Sequence, residues 1–214
     1  MYLAVDIGAS SGRHILGWLE DGRLQLKEIY RFENGMTEQE GSFVWDVEHL
    51  VAEIVNGLKA CKAEGVSPQS VAIDTWGVDY ALLDAEGNLL SPVYAYRDSR
   101  TEGAAEEIDA LIPREELYRR TGIQKQNYNT IYQLWCDKKS GKLQKAAHFL
   151  MMPEYLAYRL TGRMANEYTI ASTSGLLNAE SRQWDGELLR LLGLPEGLFL
   201  PLSQPGTALG ALSE

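Results

Sequence analysis

Asp6-Ile7-Gly8-Ala9-Ser10-Ser11-Gly12-Arg13 directly follows the short apolar run Leu3-Ala4-Val5, so a carboxylate and a glycine/serine turn stand at the end of a strand. The next segment, His14 to Leu19, reads as a second strand and not as a helix. That excludes a Walker P-loop, which needs a helix after its glycines and a lysine within them. The turn contains no lysine. Phosphate binding here would rest on the backbone N–H groups of Ala9, Ser10, Ser11 and Gly12, on the two serine hydroxyls and on Arg13, with Asp6 holding a hydrated cation. Taken alone, the segment is equally compatible with a plain β-hairpin turn in which glycine serves geometry and serine serves solubility.

Working outward, a turn at Glu20-Asp21-Gly22 leads into a third extended run, Arg23 to Phe32, and three adjacent strands imply an antiparallel meander. Beyond a polar loop, Val47, Leu50, Val51, Ile54 and Leu58 fall at helical spacing behind a candidate N-cap at Asp46. This amphipathic helix is expected to end near Gly65 and to cover one sheet face. Ser67-Pro68 breaks the pattern, and Val71-Ala72-Ile73 then reads as a buried parallel strand. The expectation is an α/β layered domain.

Composition bounds the function. The 214 residues are 45% hydrophobic and 23% charged, which suits a globular chain with a real core. A formal net charge of -10 works against nucleic acid and anionic membrane surfaces. No apolar run approaches the roughly 20 residues of a membrane span, and the N-terminus begins with a strand in place of a basic, hydrophobic leader. A cytoplasmic protein is expected. Cys61 and Cys136 lack metal-ligand spacing and read as buried free thiols, and His14, His49 and His148 lie too far apart for a zinc site.

Two further clusters carry chemistry. Asp74-Thr75-Trp76-Gly77-Val78-Asp79-Tyr80 crowds carboxylates, an aromatic and a glycine at a strand end. Ligands of open α/β sheets bind beyond the carboxyl ends of parallel strands, so this cluster is expected to face the same cleft as the turn. Trp76 offers an apolar wall and Gly77 permits close backbone approach, which suits a polyhydroxylated ligand; a tight strand connection with a core tryptophan is the alternative. Tyr96-Arg97-Asp98-Ser99-Arg100 follows an extended run from Leu89 to Ala95. Asp98 is suited to accept hydroxyl hydrogen bonds while Arg97 donates to ring oxygens, and an ion-pair cluster capping a helix that begins near Thr101 is the alternative.

From Thr101 the pattern turns helical, with Ala104 to Leu111, Glu115 to Thr121 and Thr130 to Lys139 as helices and His148 to Met152 as an apolar run. Pro153 starts another helix that Gly162 stops. Tyr168 to Gly175 is a hydroxyl-rich loop able to line a cleft.

In this order, the three clusters resemble the N-terminal domain of the FGGY carbohydrate kinases, over essentially the whole chain. Asp6 to Arg13 is similar to the family's first phosphate motif, Asp74 to Tyr80 to its sugar-site segment, and Ala95 to Arg100 to its aromatic-x-aspartate-x-arginine motif. Within the family, the serine pair with Arg13, and Tyr96 where many members carry tryptophan, are most like the rhamnulokinase branch. Tyr128 to Leu134 and Tyr155 to Gly162 support the resemblance. It implies a ribonuclease H-like fold of the actin/hexokinase type, a mixed sheet with an antiparallel meander flanked by helices. Residues 1–100 would form the sheet core with the phosphate and sugar segments, and 101–214 a mostly helical remainder. ATP and Mg2+ are the implied cofactors, with Asp6 at the metal and Ala9, Ser10, Ser11, Gly12 and Arg13 at the nucleotide. L-rhamnulose is the implied substrate, contacted by Gly77, Trp76, Asp98 and Arg97. The family's general base lies in a histidine-aspartate segment of a second domain, and no histidine-aspartate pair occurs here. The chain is therefore expected to be inactive alone and to self-associate through an uncovered interdomain face.

Overall fold

The computed structural model of the protein describes residues 1–213. The chain divides into two compact units, Met1–Thr37 with Trp45–Trp76, and Glu38–Val44 with everything from Gly77 onward.

The first unit holds the sheet β3-β2-β1-β6. Its strands are β1 (Tyr2–Ile7), β2 (Ser11–Glu20) and β3 (Arg23–Glu33). The chain next forms a ribbon of β4 (Met36–Gln39) and β5 (Ser42–Trp45), whose residues Glu38–Val44 are counted with the second unit, and then helix α1 (Val47–Ala63) and strand β6 (Val71–Thr75) of the first. The meander forms as expected, with β1 antiparallel to β2, β2 antiparallel to β3, and β6 parallel to β1. Asp21 and Gly22 both take positive φ, the geometry of the tight β2–β3 turn. α1 starts where the Asp46 side chain accepts the His49 N–H. Its apolar stripe covers one sheet face: Leu50 and Ile54 are fully buried, each worth about 1.5–3 kcal/mol against exposure, over Leu3, Val5, Ile7 and Leu16.

His14 is fully buried in that layer, with Nε2 at 3.3 Å from the Ile54 carbonyl oxygen. It has room because α1 carries Gly57, where a Cβ would meet the imidazole at 2.2 Å. Burial pushes the His14 imidazole below its ordinary pKa. On the opposite face Tyr2, Leu24 and Leu26 stand 59%, 65% and 64% exposed. Val71-Ala72-Ile73 pairs in parallel as expected, yet it alternates half-buried and exposed positions because successive side chains point to opposite sheet faces: Ile73 lies beside buried Val5 and Ala72 beside exposed Ala4.

The second unit pairs β7 (Tyr80–Leu83) antiparallel with β8 (His148–Met151) around helices α2 (Ala104–Asp109), α3 (Arg114–Thr121) and α4 (Thr130–Lys139). Helix α5 (Met152–Thr161) ends at Gly162, in the left-handed conformation expected of a stop. Short elements complete it: β9 (Asn166–Glu167), α6 (Tyr168–Ala171), β10 (Leu177–Asn178), β11 (Gln183–Trp184), α7 (Gly186–Leu192) and β12 (Leu202–Ser203). The run from Leu89 to Ala95 forms only isolated bridges, Leu83 with Leu89 and Val44 with Tyr94. Phe149 anchors the core, with ring centroids 5.0 Å from Tyr80 and 5.1 Å from Phe199.

Asp185 caps α7 and ties it to α3: its carboxylate accepts the Leu188 N–H and both Nε and Nη2 of Arg120, at 2.9 and 3.0 Å. Burial works to raise the Asp185 pKa, but the Arg120 guanidinium, the Leu188 N–H and the Asn178 amide hold it down to about 2 from 3.8. A depressed carboxylate stabilises the fold above its unfolded pKa and loses that contribution as pH falls through the folded one. At pH 2 the loss is about 2 kcal/mol. Urea-stability profiles are expected to show wild type losing about that much more than Asp185→Asn between about pH 5 and pH 2. Parallel acid limbs would contradict it.

Candidate functional site

The phosphate-type turn lies in the first unit, between β1 and β2. Strand register sets Asp6 opposite Arg13 on β2 and beside Asp74 on parallel β6. Arg13 donates to Asp6 Oδ2 from Nε and Nη2, both at 2.8 Å. With side chains 46% and 42% exposed, this pair adds little to stability, about 0–1 kcal/mol. The turn is closed by the Gly8 N–H donating to the Ser11 carbonyl at 2.8 Å. Asn34, just past β3, braces it: its side-chain amide donates to the Gly8 carbonyl at 2.8 Å and its backbone N–H to the Ser10 carbonyl at 3.1 Å.

Those contacts leave the Ala9 and Ser10 N–H groups without a hydrogen-bond partner among the described residues. Two adjacent unspent amides, a serine hydroxyl and an arginine form a donor set that fits a nucleotide phosphate. The carboxylates of Asp6 and Asp74, side by side on neighbouring strands, fit a hydrated Mg2+ bound through water. Among the described residues no group of three or more His, Cys, Asp or Glu side chains could hold a metal directly. Gly12 serves packing: a Cβ there would meet the Phe32 ring at 2.1 Å. Trp76, also in this unit, stacks on buried Trp45 with ring centroids 4.1 Å apart.

In the second unit, the Gly77–Val78 segment is held under strain. Val78 has φ +70, a left-handed conformation that a β-branched residue enters only when its surroundings enforce it. The enforcement is visible. The Val78 N–H donates to Thr173 Oγ1 at 3.2 Å, and its carbonyl accepts from Thr130 Oγ1 at 2.7 Å and Gln133 Nε2 at 3.3 Å. Thr173 also fills the space beside Gly77, where a Cβ would sit 3.2 Å from its side chain. The hydroxyl-rich stretch Tyr168 to Gly175 is thus a pair of short helical turns that supports this segment.

The Tyr96-to-Arg100 cluster is split between surface and interior. Arg97 is exposed, with its guanidinium 5.5 Å from the Tyr96 ring centroid. Asp98 is buried and engaged with backbone: Oδ2 accepts the Phe43 N–H at 2.7 Å and Oδ1 the Arg100 N–H at 3.0 Å, which caps a 3₁₀ turn, Ser99–Thr101. The helix expected near Thr101 begins at Ala104 instead, because Glu102 is extended and Gly103 takes φ +81. Beneath the cluster Asp79, fully buried, accepts the Tyr96 N–H at 3.0 Å and the Gln133 side-chain amide at 2.8 Å. Arg100 donates to Gln133 Oε1 at 3.1 Å and to Asp137 at 2.7 Å, and Asp137 accepts the Tyr80 hydroxyl at 2.5 Å. Burial, and after it the Asp137 carboxylate, push the Tyr80 phenol well above its ordinary pKa, so it stays the donor. Thr130, Gln133, Asp137, Thr173 and Asn34 are the supporting residues that sequence spacing does not reveal.

Residues 1–214 match the model of the FGGY family of carbohydrate kinases, N-terminal domain. A rhamnulokinase from Enterococcus faecalis is 48% identical over 212 residues, covering 99% of this chain and 43% of its own length. One from Oceanobacillus iheyensis is 45% identical, covering 98% of this chain and 45% of its own. The chain thus spans about half the length of the curated relatives it matches. Among solved structures, a xylulose kinase from Lactobacillus acidophilus superposes with a TM-score of 0.86 at 18% identity, over 99% of this chain and 44% of that one. A glycerol kinase from Plasmodium falciparum gives 0.81 at 15%, over 100% and 45%. These likenesses carry the ribonuclease H-like, actin/hexokinase type of fold. With the family match running from the first residue to the last, the chain belongs to the FGGY carbohydrate kinases, as their N-terminal domain.

Proposed function

We propose that the whole protein is an ATP-dependent kinase that phosphorylates the 1-hydroxyl of L-rhamnulose. What supports this most is identity of 42–48% to rhamnulokinases across nearly all of this chain. Bound ATP with its magnesium supplies the transferable phosphoryl group and neutralises its charge; the protein's part is chiefly positioning. Asp6 holds the metal through water. The amides of Ala9 and Ser10, with Ser11, Gly12 and Arg13, orient the phosphates. Gly77 and Arg97 contact the ketose, Trp76 gives an apolar wall, and Asp98 acts on the ketose through the backbone it fixes. The proton of the attacking hydroxyl goes to a group supplied by the rest of the protein. Calorimetric titration of the full-length protein tests this: L-rhamnulose binds, and binds in the presence of MgADP. Binding of nucleotide with no ketose binding at all would overturn the reading.

Thr173 gives a sharper expectation. Thr173→Val keeps the shape against Gly77 but removes the acceptor of the Val78 N–H, so the strained segment relaxes. The KM for the ketose is expected to rise about tenfold, roughly 1.4 kcal/mol, with the KM for ATP unchanged and most of the loss restored by Thr173→Ser. An unchanged ketose KM would remove Thr173 from the sugar segment's support. The exposed Tyr2, Leu24 and Leu26 face supports self-association of the isolated chain, which sedimentation at high concentration checks; a strict monomer counts against it.

A further inference from the structure

Between α3 and the start of α4, the second unit has a cavity of about 460 Å³, a size at which small-molecule sites are found. Leu117, Ile123 and Ile131 supply apolar wall, and Asn129 and Tyr132 line it as well. The lining takes in neither Gly77 nor Arg97 nor Asp98. We propose that this cavity binds a neutral monosaccharide, at a site separate from the ketose segment.

Two polar atoms of buried lining residues are unspent. Tyr132 is 1% exposed and Asn129 5%, yet neither the Tyr132 hydroxyl nor Asn129 Oδ1 has a hydrogen-bond partner among the described residues. Asn129 spends only its side-chain N–H, which donates to the Gln124 carbonyl at 3.1 Å. These atoms are not sealed inside protein in the way that the unpaired His14 Nδ1, Arg100 Nε and Asp109 Oδ1 are. They reach open space, and the space their residues line is this cavity. An unpaired polar group on a buried residue is destabilising, and a ligand that pairs it removes that penalty.

The chemistry of the two atoms selects the ligand. Burial, and after it the Asp109 carboxylate, raise the Tyr132 phenol to about 12, so it stays a donor at neutral pH. Asn129 Oδ1 is an acceptor. Together they suit neighbouring ring hydroxyls, which accept at one point and donate at the next, whereas an anion has no proton for Asn129. The charges at the cavity leave no positive excess for an anion either. Arg114 is bonded to Asp109, Lys125 reaches Glu106 at 3.5 Å, and Glu115 adds a carboxylate. Arg114 spends Nη2 on Asp109, so its Nε and Nη1 remain for a sugar oxygen. The C–H face of the ring meets Leu117, Ile123 and Ile131, and the Tyr118 ring, 58% exposed at the same cavity, flanks it.

The test is an NMR titration of the full-length protein, labelled at its isoleucine methyls, with L-rhamnulose, D-fructose and D-glucose as probes and with acetate and inorganic phosphate as anion controls. At least one sugar is expected to shift the Ile123 and Ile131 methyls saturably, with a Kd of about 0.1–10 mM, and to give NOEs from its ring protons to both. The anions are expected to do neither. Tyr132→Phe removes a hydroxyl that bonds to nothing among the described residues, so folding stability should hold while the sugar Kd rises about tenfold. Turnover of L-rhamnulose, measured separately, reports on the ketose segment alone. If no sugar at about 50 mM gives NOEs to these methyls, if only the anions shift them, or if Tyr132→Phe binds sugar as tightly as wild type, the proposal is wrong.

Discussion

Arg13→Ala in the full-length protein is expected to lower kcat about 100- to 1,000-fold while the affinity for the ketose and the folding stability stay nearly unchanged. The stability half follows from the structure. Arg13 is half-exposed, its ion pair with Asp6 is exposed to the same degree, and it anchors no buried group, so truncation costs about 1 kcal/mol at most. The kinetic half rests on the proposed function. A guanidinium tied to the end of β1, next to two unspent amides, is placed for charge that develops on a transferring phosphoryl group. A donor aimed at developing charge acts on the transition state more than on the ground state, so its loss appears in kcat. Steady-state kinetics with MgATP and L-rhamnulose, together with a urea melt, check both halves. An unchanged kcat would remove Arg13 from the phosphate site. A loss of several kcal/mol of stability would instead make it a structural residue.

Asp137→Ala is the opposite case. Asp137 is 2% exposed and accepts from both Arg100, itself 15% exposed at the side chain, and the Tyr80 hydroxyl. Truncation leaves a buried guanidinium without its counter-charge and a buried phenol without its acceptor. The expected loss is about 3–5 kcal/mol. Through Gln133, the damage reaches Asp79 and the Val78 carbonyl, so the ketose KM should rise in whatever fraction remains folded. Asp137→Asn keeps an acceptor for Tyr80 and is expected to lose less. Chemical denaturation of the two variants against wild type decides it. A loss below about 1 kcal/mol for the alanine variant would mean that the Arg100 guanidinium finds solvent or another partner.

Much of this architecture is legible along the chain because it is local. The meander, the Asp46-capped helix, the Gly162 stop and the extent of α4 each rest on spacing or on a residue whose backbone preference is strong. The long-range partners are what the sequence conceals. Asp98 and Arg97 are adjacent and look alike in charge density, yet Asp98 is bound by the amides of Phe43 and Arg100 while Arg97 faces solvent. Gly12 reads as a turn glycine, and the reason for it is the Phe32 ring of the next strand. Likewise, a threonine in a hydroxyl-rich stretch gives no sign of supporting a valine 95 positions earlier. The unit boundary at Trp76 and Gly77 falls inside a single sugar-type motif, which no composition shift marks.

The most direct test of the central claim is turnover of the full-length protein with MgATP and each of L-rhamnulose, L-fuculose and D-xylulose, following ADP and identifying the sugar phosphate by NMR. The prediction is one L-rhamnulose 1-phosphate per ADP, with kcat/KM for L-rhamnulose at least about tenfold above the other two. A higher kcat/KM for L-fuculose or D-xylulose, or no ADP from any of the three, would contradict it.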